Sequence, residues 1–204
     1  LADRLGARPA TAPPGVAAVE APTSGALTGE AVSRIVAGRL PEGAVVCDES
    51  LVGGWMFHGF SRTSPPHDYL ELTGGAIGIG IPLSVGAAVA SPGRKVVCLQ
   101  ADGSGLYTSQ ALWTQARERL DVVTIVFSNR AYATLNAELR NVGVETVGDN
   151  ARRMLNLDDP AIDWPSLARG FGVEAGRAET VEAFVRLLEA ALARPGPFLI
   201  EALI

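Results

Sequence analysis

An aspartate and an asparagine each stand directly after an apolar run of the sequence, where they could bind a metal ion together. Asp102 follows the run "VVCLQA", and Asn129 follows the run "DVVTIVFS", 27 residues after Asp102. One helical crossover fits between two such strands, and the carboxyl ends of neighbouring parallel strands meet at one edge of a sheet. Carboxylate and amide oxygens suit a hard cation such as Mg²⁺ rather than zinc or copper. The spacing therefore predicts a metal site shared by Asp102 and Asn129.

The residues after Asp102 are small and could approach a phosphate. The sequence "GSG" at 103–105 lets backbone N–H groups come close to phosphate oxygens, and a helix beginning there would add its positive end. An acidic side chain beside a phosphate is repulsive unless a divalent cation lies between them. The alternative is that Asp102 is an ordinary helix N-cap. Taken alone, Asp102 favours the N-cap, whereas its pairing with Asn129 favours a site for metal and phosphate.

Strand and helix patterns alternate along the chain. Strands are predicted at "AVVCD", "YLEL", "KVVCLQ", "DVVTIVF" and "PFLIEAL". Helices are predicted from near Gly78 to the Pro92-Gly93 pair and over the segments 27–40, 105–119, 132–141, 163–170 and 179–193. The stretch that follows Asp48 is rich in Gly, Ser and Pro up to residue 68, which predicts a loop. This alternation predicts an α/β fold with a mainly parallel sheet and helices on both faces, in which Asp48, Asp102 and Asn129 lie on one rim.

Composition and charge exclude several functional classes. The 204 residues carry a net charge of −5, and no basic cluster offers a surface for nucleic acid or an anionic membrane. No apolar run approaches the ~20 residues that span a bilayer. No cysteine and histidine pattern has zinc spacing, and His58 and His67 are isolated. Cys47 and Cys98 lie in apolar runs, which predicts buried reduced thiols in a cytoplasmic protein.

The stretch "ADGSGLYTSQALWTQARERLDVVTIVFSNRAYATL" resembles the cofactor motif of thiamine diphosphate (ThDP) enzymes, which opens with Gly-Asp-Gly and closes with Asn-Asn. The resemblance extends over 27–204. It is closest to the C-terminal, pyrophosphate-binding domain of the branch that contains the acetolactate synthase large subunit and benzoylformate decarboxylase. The segments "TSQALWTQAR" and "FLIEALI" are typical of that branch.

The resemblance implies roles for individual residues in binding ThDP and Mg²⁺. Asp102 and Asn129 would ligate Mg²⁺ through their side chains, and Ala131 would do so through its backbone carbonyl. The diphosphate would be bound by the following residues: Ser104, the N–H of Gly103, the Tyr107 hydroxyl and Ser50.

The segment "LTGGAIGIG" resembles the part of the family that holds the aminopyrimidine ring. The backbone carbonyl of Gly75 would bind the ring, with Ala76 beside it, and the Ile77 side chain would force the cofactor into its bent V shape. The structural alternative is a tight turn into a helix that packs closely on the sheet. The segment is not a dinucleotide fingerprint, because that pattern would need glycine at position 77.

Several positions depart from the family pattern. Ala101 stands where the motif has its first Gly, which is tolerable only if Ala101 has a negative φ. Ser128 stands where the motif has its first Asn. Leu51 and Val52 stand where the decarboxylases often have hydroxyls for the diphosphate, so backbone around Gly53 and Gly54 is the alternative source of such contacts.

The resemblance also bears on domain organisation. Residues 8–26 are rich in Ala, Pro, Thr and Gly without periodicity, which predicts that 1–26 are an interdomain linker with the tail of a preceding domain. Residues 27–204 are then the pyrophosphate-binding domain. In the family, the glutamate that protonates the pyrimidine lies in an N-terminal domain of a second subunit, and neither Glu30 nor Glu49 takes that role. The chain alone is therefore expected to be inactive and to hold no catalytic residue except Ile77 as the wedge.

The full-length protein is expected to be an acetolactate synthase-like carboligase or decarboxylase. With ThDP as the electron sink it would decarboxylate a 2-keto acid such as pyruvate, and would transfer or release the aldehyde unit. A cytoplasmic homodimer or tetramer is implied, without nucleic acid or membrane partners. The alternatives are a benzoylformate decarboxylase-like enzyme and a non-catalytic domain with the ThDP fold. Asn136, Glu138 and Arg140 either make the substrate approach polar or form a solvated helix face.

Overall fold

In the computed structural model, which describes Gly6 and residues 19–204, six parallel strands form one sheet in the order β2-β1-β3-β4-β6-β5. Because β1 lies between β2 and β3, the strand order reverses beside β1, and α/β sheets bind ligands outside the carboxyl ends of strands at such a point. The strands are β1 (Val45–Glu49), β2 (Asp68–Glu71), β3 (Val96–Ala101), β4 (Val122–Ser128), β5 (Glu174–Ala178) and β6 (Phe198–Leu203).

The described residues also form helices that cover both faces of the sheet. They are α1 (Gly29–Arg39), α2 (Phe57–Phe60), α3 (Gly80–Ala90), α4 (Asp102–Gly105), α5 (Ala111–Arg117), α6 (Ala133–Asn141), α7 (Asp149–Leu155), α8 (Trp164–Gly170) and α9 (Val181–Ala193). Buried residues of α1, α2 and α9 pack on one face, and those of α3, α5 and α8 pack on the other. The predicted α/β fold, with a parallel sheet between two layers of helices, is confirmed.

The central strand β4 shows why the sequence forms a sheet covered on both faces. All of its residues are buried, as expected for a nearly continuous run of β-branched and apolar residues. Ile125 and Phe127 belong to the cluster that includes α1 and α9, whereas Val126 belongs to the cluster that includes Trp164 of α8. The helix before β1 begins where its sequence predicts, since Thr28 Oγ1 accepts a hydrogen bond of 3.1 Å from the Ala31 N–H.

Two predicted segments differ in detail from the structure. The stretch after β1 is not an open loop, because 3₁₀ turns at Leu51–Gly53 and Ser61–Thr63 flank α2, whose Phe57 is fully buried in the core. The helix predicted over 105–119 is divided into α4, a 3₁₀ turn at Leu106–Thr108, and α5. In both segments, short turns bend the chain near the carboxyl edge of the sheet.

Two elements were not predicted from the sequence. The edge strand β5 has the sequence "EAGRA", which is too polar and too glycine-containing to show a strand pattern. Helix α7 has the sequence "DNARRML" and buries none of its residues, so it has no apolar periodicity. Both are held by tertiary contacts, since β5 pairs with β6 and Leu155 at the end of α7 accepts from the Tyr132 N–H.

Most of the predicted linker, 1–26, lies outside the described residues. Within its described part, Ala26 forms an antiparallel bridge with Thr180, and the Gly25 carbonyl accepts from the Val181 N–H at 3.2 Å. The domain boundary at residue 27 stays a prediction. Within the part of the chain that the structure describes, no helix combines the length and the apolarity that crossing a membrane requires.

Candidate functional site

A cleft of about 540 Å³ opens at the carboxyl ends of β1, β3 and β4. Its walls contain all but one of the residues that the sequence analysis assigned to a site: Ser50, Gly75, Ile77, Asp102, Gly103, Ser104, Tyr107, Asn129 and Ala131. The exception is Ala76, which does not line the cleft. Asp48, predicted to share this rim, lies within β1 and outside the cleft wall. Residues from four separate stretches of the chain therefore meet at one place.

Asp102 joins the ends of two strands. Its Oδ1 accepts a hydrogen bond from the Gly103 N–H at 2.8 Å, and its Oδ2 accepts one from the Arg130 N–H at 2.7 Å. Helix α4 begins at Asp102 itself, and Ala101 occupies the N-cap position without a side-chain cap. The N-cap alternative is therefore wrong for Asp102, whose carboxylate instead faces the turn after β4.

The Asp102 carboxyl group is 2% exposed and belongs to none of the ion pairs among the described residues. Burial raises its pKa to about 6, although the N–H groups of Arg130 and Gly103 act in the opposite direction. The Asp102 carboxyl group is buried and has backbone partners but no positive side chain beside it. A cation bound at this position would therefore favour the ionised form of Asp102.

Asn129 and Ala131 form a tight turn beside Asp102. Asn129 Oδ1 accepts a hydrogen bond from the Ala131 N–H at 3.0 Å, and the intervening Arg130 has a φ of 55°. This left-handed conformation is uncommon for a residue with a side chain. The Leu157 N–H donates to the Arg130 carbonyl at 2.7 Å and supports the turn from outside.

The oxygens gathered here fit a magnesium ion. They are the Asp102 carboxylate, the Asn129 amide oxygen and the Ala131 carbonyl, and oxygens of these kinds keep a further lone pair after accepting one N–H. Among the described residues, no three or more His, Cys, Asp and Glu side chains cluster as a metal site, and Asp102 is the one carboxylate among the residues described as lining the cleft. Mg²⁺ commonly takes one or two protein carboxylates and completes its shell with phosphate oxygens and water.

The start of α4 is closely packed against the segment after β4. A Cβ added to Gly103 would lie 2.6 Å from the Tyr132 ring, so a side chain does not fit there. Ser104 is 4% exposed, and its Oγ accepts a hydrogen bond from Gln100 Nε2 at 2.8 Å. Gln100 is buried in β3 and was not predicted as part of the site, because its sequence context is that of an ordinary strand.

The turn before α3 forms another wall of the cleft. A 3₁₀ turn at Thr73–Gly75 leads into Ile77, whose side chain is 47% exposed although it is a large aliphatic group. The Gly75 carbonyl accepts a hydrogen bond of 3.0 Å from the Ile77 N–H. Gly75 and Ile77 therefore both line the cleft within one short turn.

Comparison with known proteins identifies the family to which this cleft belongs. Residues 51–202 match the family model described as "Thiamine pyrophosphate enzyme, C-terminal TPP binding domain". The chain belongs to this family. TPP, thiamine pyrophosphate, is another name for ThDP, and the resemblance found in the sequence is confirmed.

Relatives of this TPP-binding domain include a Mycobacterium tuberculosis protein named "Putative acetolactate synthase large subunit IlvX", 45% identical over 100% of this chain and 40% of its own length. The benzoylformate decarboxylase of Pseudomonas aeruginosa is 35% identical over 87% of this chain and 32% of its own. Among solved structures, the thiamine diphosphate-dependent 4-hydroxybenzoylformate decarboxylase of Rhodococcus jostii superposes with a TM-score of 0.79 at 32% identity, over 93% of this chain and 35% of its own. The TPP-binding domain thus spans two fifths or less of each of these proteins.

The structure accommodates two of the departures from the family pattern. Ala101 has a φ of −77°, a backbone conformation that any residue adopts, so the loss of glycine there introduces no strain. Ser128 Oγ donates to Glu201 Oε1 at 3.0 Å, and Arg177 Nε donates to Glu201 Oε2 at 2.7 Å. A buried, charge-paired side chain of β6 therefore holds the end of β4 in this TPP-binding domain.

The hydroxyl and backbone donors after β1 are already in use. Ser50 is 1% exposed, and both its N–H and its Oγ donate to Asp48 Oδ1, at 2.8 Å and 2.6 Å. The Gly53 N–H donates to the Ser50 carbonyl at 3.1 Å, and Gly54 does not line the cleft. The Ser50 hydroxyl and the N–H groups of Ser50 and Gly53 therefore already have acceptors within the protein.

The far wall of the cleft is more apolar than the sequence indicated. Asn136, Glu138 and Arg140 do not line the cleft; Thr134 and Leu135 of α6 do, together with Met154 and Leu155 of α7. Glu138 and Arg140 are exposed, which fits the solvated-face alternative, whereas Asn136 is half-buried outside the cleft. The contribution of α7 was missed because α7 itself was not predicted.

Proposed function

We propose that this TPP-binding domain holds ThDP through Mg²⁺ and belongs to an acetolactate synthase-like enzyme that acts on a 2-keto acid. The observation that carries the proposal is the meeting of Asp102 and the Asn129 turn in the cleft, joined by the Asp102–Arg130 hydrogen bond. A carboxylate without a cationic partner, next to Gly103 and Ser104 in the cleft wall, suits a Mg²⁺ ion that is shared with phosphate oxygens.

In this proposal the cleft divides into a polar end and an apolar end. Asp102, Asn129 and the Ala131 carbonyl hold Mg²⁺, while Ser104 and the Gly103 backbone bind the diphosphate. Tyr107, whose side chain is 60% exposed at the cleft, would add a hydroxyl to the same group. Ser50 lines the same end, and its hydroxyl would bind the diphosphate only after leaving Asp48, because the diphosphate oxygens need a donor.

The apolar end would hold the aminopyrimidine. The Gly75 carbonyl would accept a hydrogen bond from the ring, and the Ile77 side chain would enforce the bent shape of the cofactor. When bound, ThDP supplies the nucleophile and the electron sink for the decarboxylation of a 2-keto acid. The chain itself orients the cofactor and limits water through the apolar wall that includes Leu135 and Met154.

The whole enzyme would complete the site with a second subunit. We propose that an N-terminal domain of that subunit supplies the glutamate that protonates the pyrimidine, within a homodimer or tetramer. This TPP-binding domain by itself is then inactive. Cys47 and Cys98 are buried thiols, which supports a reducing, cytoplasmic location.

A specific observation supports benzoylformate decarboxylase-like activity as a second candidate. The cleft is also lined by Leu135 of α6 and by Met154 and Leu155 of α7, apolar side chains that suit a 2-keto acid with an apolar side chain larger than a methyl group. Acetolactate synthase-like carboligation and simple decarboxylation share their first step, so the two differ in the acceptor that follows.

The proposal is tested by calorimetric titration of ThDP into the full-length protein that contains this chain, with Mg²⁺ and then with EDTA. We expect binding that requires Mg²⁺ and that is lost in Asp102→Ala. The matched control is Asp149→Ala, at an exposed position in the first turn of α7. Equal ThDP affinity in Asp102→Ala, or no binding by the wild-type protein, would overturn the proposed metal and cofactor site.

A second assay separates the candidate activities. Pyruvate and benzoylformate are offered in turn to the ThDP-loaded protein, and CO₂ release and the products of carbon–carbon bond formation are measured. Acetolactate from pyruvate supports the first candidate, and free aldehyde from benzoylformate supports the second. A protein that binds ThDP and yields neither product from any 2-keto acid would be the non-catalytic domain.

A further inference from the structure

Glu49 is a buried carboxylate that the proposed site does not use. It is the last residue of β1, it is 1% exposed, and it belongs to none of the ion pairs among the described residues. Its Oε1 accepts a hydrogen bond from the Gly78 N–H, and its Oε2 accepts one from the Gly80 N–H. Burying a carboxylate costs free energy, and the hydrogen bonds from these backbone donors offset only part of that cost. The position of Glu49 therefore suggests a structural or functional role.

Both donors belong to the connection between the cleft turn and α3. Gly80 is the first residue of α3, so its N–H has no partner within the helix, and the positive end of the helix dipole faces the carboxylate. Gly78 is one residue after Ile77 and three after Gly75. Glu49 therefore attaches the stretch that carries Gly75 and Ile77 to the end of β1.

Gln100 lies beside Glu49 in the sheet, because Glu49 and Gln100 are register partners of β1 and β3. A Cβ at Gly80 would overlap Gln100 Oε1 and would lie 3.0 Å from Glu49 Oε2, so both side chains converge on the glycine. Gln100 Oε1 is buried without a hydrogen-bond partner, while Gln100 Nε2 donates to Ser104 Oγ. These two neighbouring side chains thus contact two different segments of the cleft wall. Glu49 accepts hydrogen bonds from the connection that follows Ile77, and Gln100 donates one to Ser104.

We propose that Glu49 is a positioning residue that fixes the Gly75–Ile77 turn relative to Ser104. The inference rests on the proposed function, in which this turn receives the aminopyrimidine and Ser104 the diphosphate. Glu49 does not line the ThDP cleft and is not a catalytic residue in this scheme. In the cofactor-bound protein, the neighbouring side chains Glu49 and Gln100 would set the distance between the Gly75–Ile77 turn and Ser104. Loss of the Glu49 carboxylate would free the turn at the aminopyrimidine and leave Ser104 in place at the diphosphate.

The variants that test this are Glu49→Gln, which keeps the size but replaces one acceptor oxygen by a donor, and Glu49→Asp, which keeps the charge but shortens the reach. Glu42→Gln, at an exposed position just before β1, is the matched control. Two probes are titrated with Mg²⁺ into the full-length protein that contains this chain: ThDP and inorganic diphosphate. Hydrogen exchange of the peptide over 73–82 is measured in the same proteins.

We expect Glu49→Gln and Glu49→Asp to weaken ThDP binding by roughly tenfold, as loss of one charge-assisted hydrogen bond predicts. Diphosphate affinity should stay within about twofold of wild type, because Glu49 does not contact Ser104 and sites without shared partners act nearly independently. Exchange should rise over 73–82 and stay unchanged in β4 peptides. Glu42→Gln should match the wild type in every measurement.

Two results would overturn the inference. If both ligands weaken equally and the melting temperature falls, Glu49 only supports the fold. If exchange over 73–82 and ThDP affinity are unchanged in both variants, Glu49 does not hold the turn. A wild-type protein that fails to bind ThDP contradicts the proposed function instead, and the exchange measurement then still decides whether Glu49 anchors the turn.

Discussion

The carboxylate of Asp102 accepts a hydrogen bond from the backbone N–H of Arg130 at 2.7 Å, which ties the end of β3 to the turn after β4. Arg130, which donates this bond, has a left-handed backbone conformation with a φ of 55°. The same turn brings Asn129 Oδ1 and the Ala131 carbonyl to the cleft. This hydrogen bond therefore joins the two strand ends that carry the oxygens proposed as Mg²⁺ ligands.

The burial of Asp102 makes the stability of the metal-free protein depend on pH. Since burial raises its pKa to about 6, above the ordinary value of an Asp, the folded state keeps a proton between about pH 4 and 6 that the unfolded state has lost. The free energy of unfolding therefore falls as pH rises through this window. Asp102→Asn removes this dependence, so the wild type should lose about 2 kcal/mol relative to Asp102→Asn between pH 4.5 and 7.

Urea unfolding with EDTA at the two pH values measures this difference. Asp149→Asn, at an exposed position, serves as the control and should follow the wild type at both. If the wild type and Asp102→Asn change in parallel with pH, the Asp102 carboxyl group is not protonated in the folded state at pH 4.5, and the prediction is wrong.

The polar end of the cleft could be predicted from the sequence because its residues are local to strand ends. Asp102 and Asn129 each follow a buried run, and the crossover between β3 and β4 has the length that makes such runs neighbours in a parallel sheet. Gly103 is placed by the same pattern, since it follows Asp102 directly. Here the position of each residue within its own element determines where its side chain lies.

The rest of the site depends on contacts between distant segments. Glu49 accepts from N–H groups 29 and 31 residues further along the chain, and nothing in "VVCDES" distinguishes it from a surface glutamate at a strand end. Gln100 reads as an ordinary strand residue for the same reason. Met154 reaches the cleft on α7, a helix without apolar periodicity that no local pattern predicts.

Ile77 should affect turnover more than cofactor affinity. Its side chain is 47% exposed and lines the cleft, and in the proposed site it would contact the cofactor ring without holding the diphosphate, so Ile77→Ala leaves the polar end intact. In the full-length enzyme we expect kcat to fall roughly 10- to 100-fold, because small errors in cofactor placement are costly. The Kd of ThDP should rise less than about tenfold.

Steady-state kinetics with the preferred 2-keto acid and calorimetry with ThDP give the two quantities for Ile77→Ala. Val89→Ala removes an exposed aliphatic side chain of α3 outside the cleft and should change neither. If kcat is unchanged in Ile77→Ala, the Ile77 side chain does not force the cofactor into its bent shape, and its exposure in the cleft has no explanation here.

The ion pair of Arg177 with Glu201 should stabilise the end of β4. Glu201 is fully buried, whereas the Arg177 side chain is 35% exposed. Arg177→Met leaves an uncompensated buried charge and should lower the free energy of unfolding by about 2 kcal/mol, below the range for fully buried pairs because solvent screens the guanidinium. Ser128→Ala removes one hydrogen bond to the same carboxylate and should cost about 1 kcal/mol.

Chemical unfolding of these variants is compared with Arg34→Met, which breaks the exposed pair of Arg34 with Glu30 and should cost about 0.5 kcal/mol or less. Adding Glu201→Gln to Arg177→Met should restore part of the loss, because the buried charge is then gone. If Arg177→Met and Arg34→Met lower the free energy of unfolding equally, Arg177 does not stabilise a buried, charged Glu201.

Leu135 should select substrates by the apolar character of their side chains. It lies in the cleft wall and is 51% exposed there, so a 2-keto acid bound against it replaces water at an aliphatic surface. Leu135→Gln should lower kcat/KM for benzoylformate roughly tenfold, as the loss of a few methylene contacts predicts, and should lower that for pyruvate less. Val142→Gln, at an exposed position outside the cleft, is the control and should lower neither. An equal loss for both substrates in Leu135→Gln would mean that this residue affects the cofactor or the fold rather than the substrate side chain.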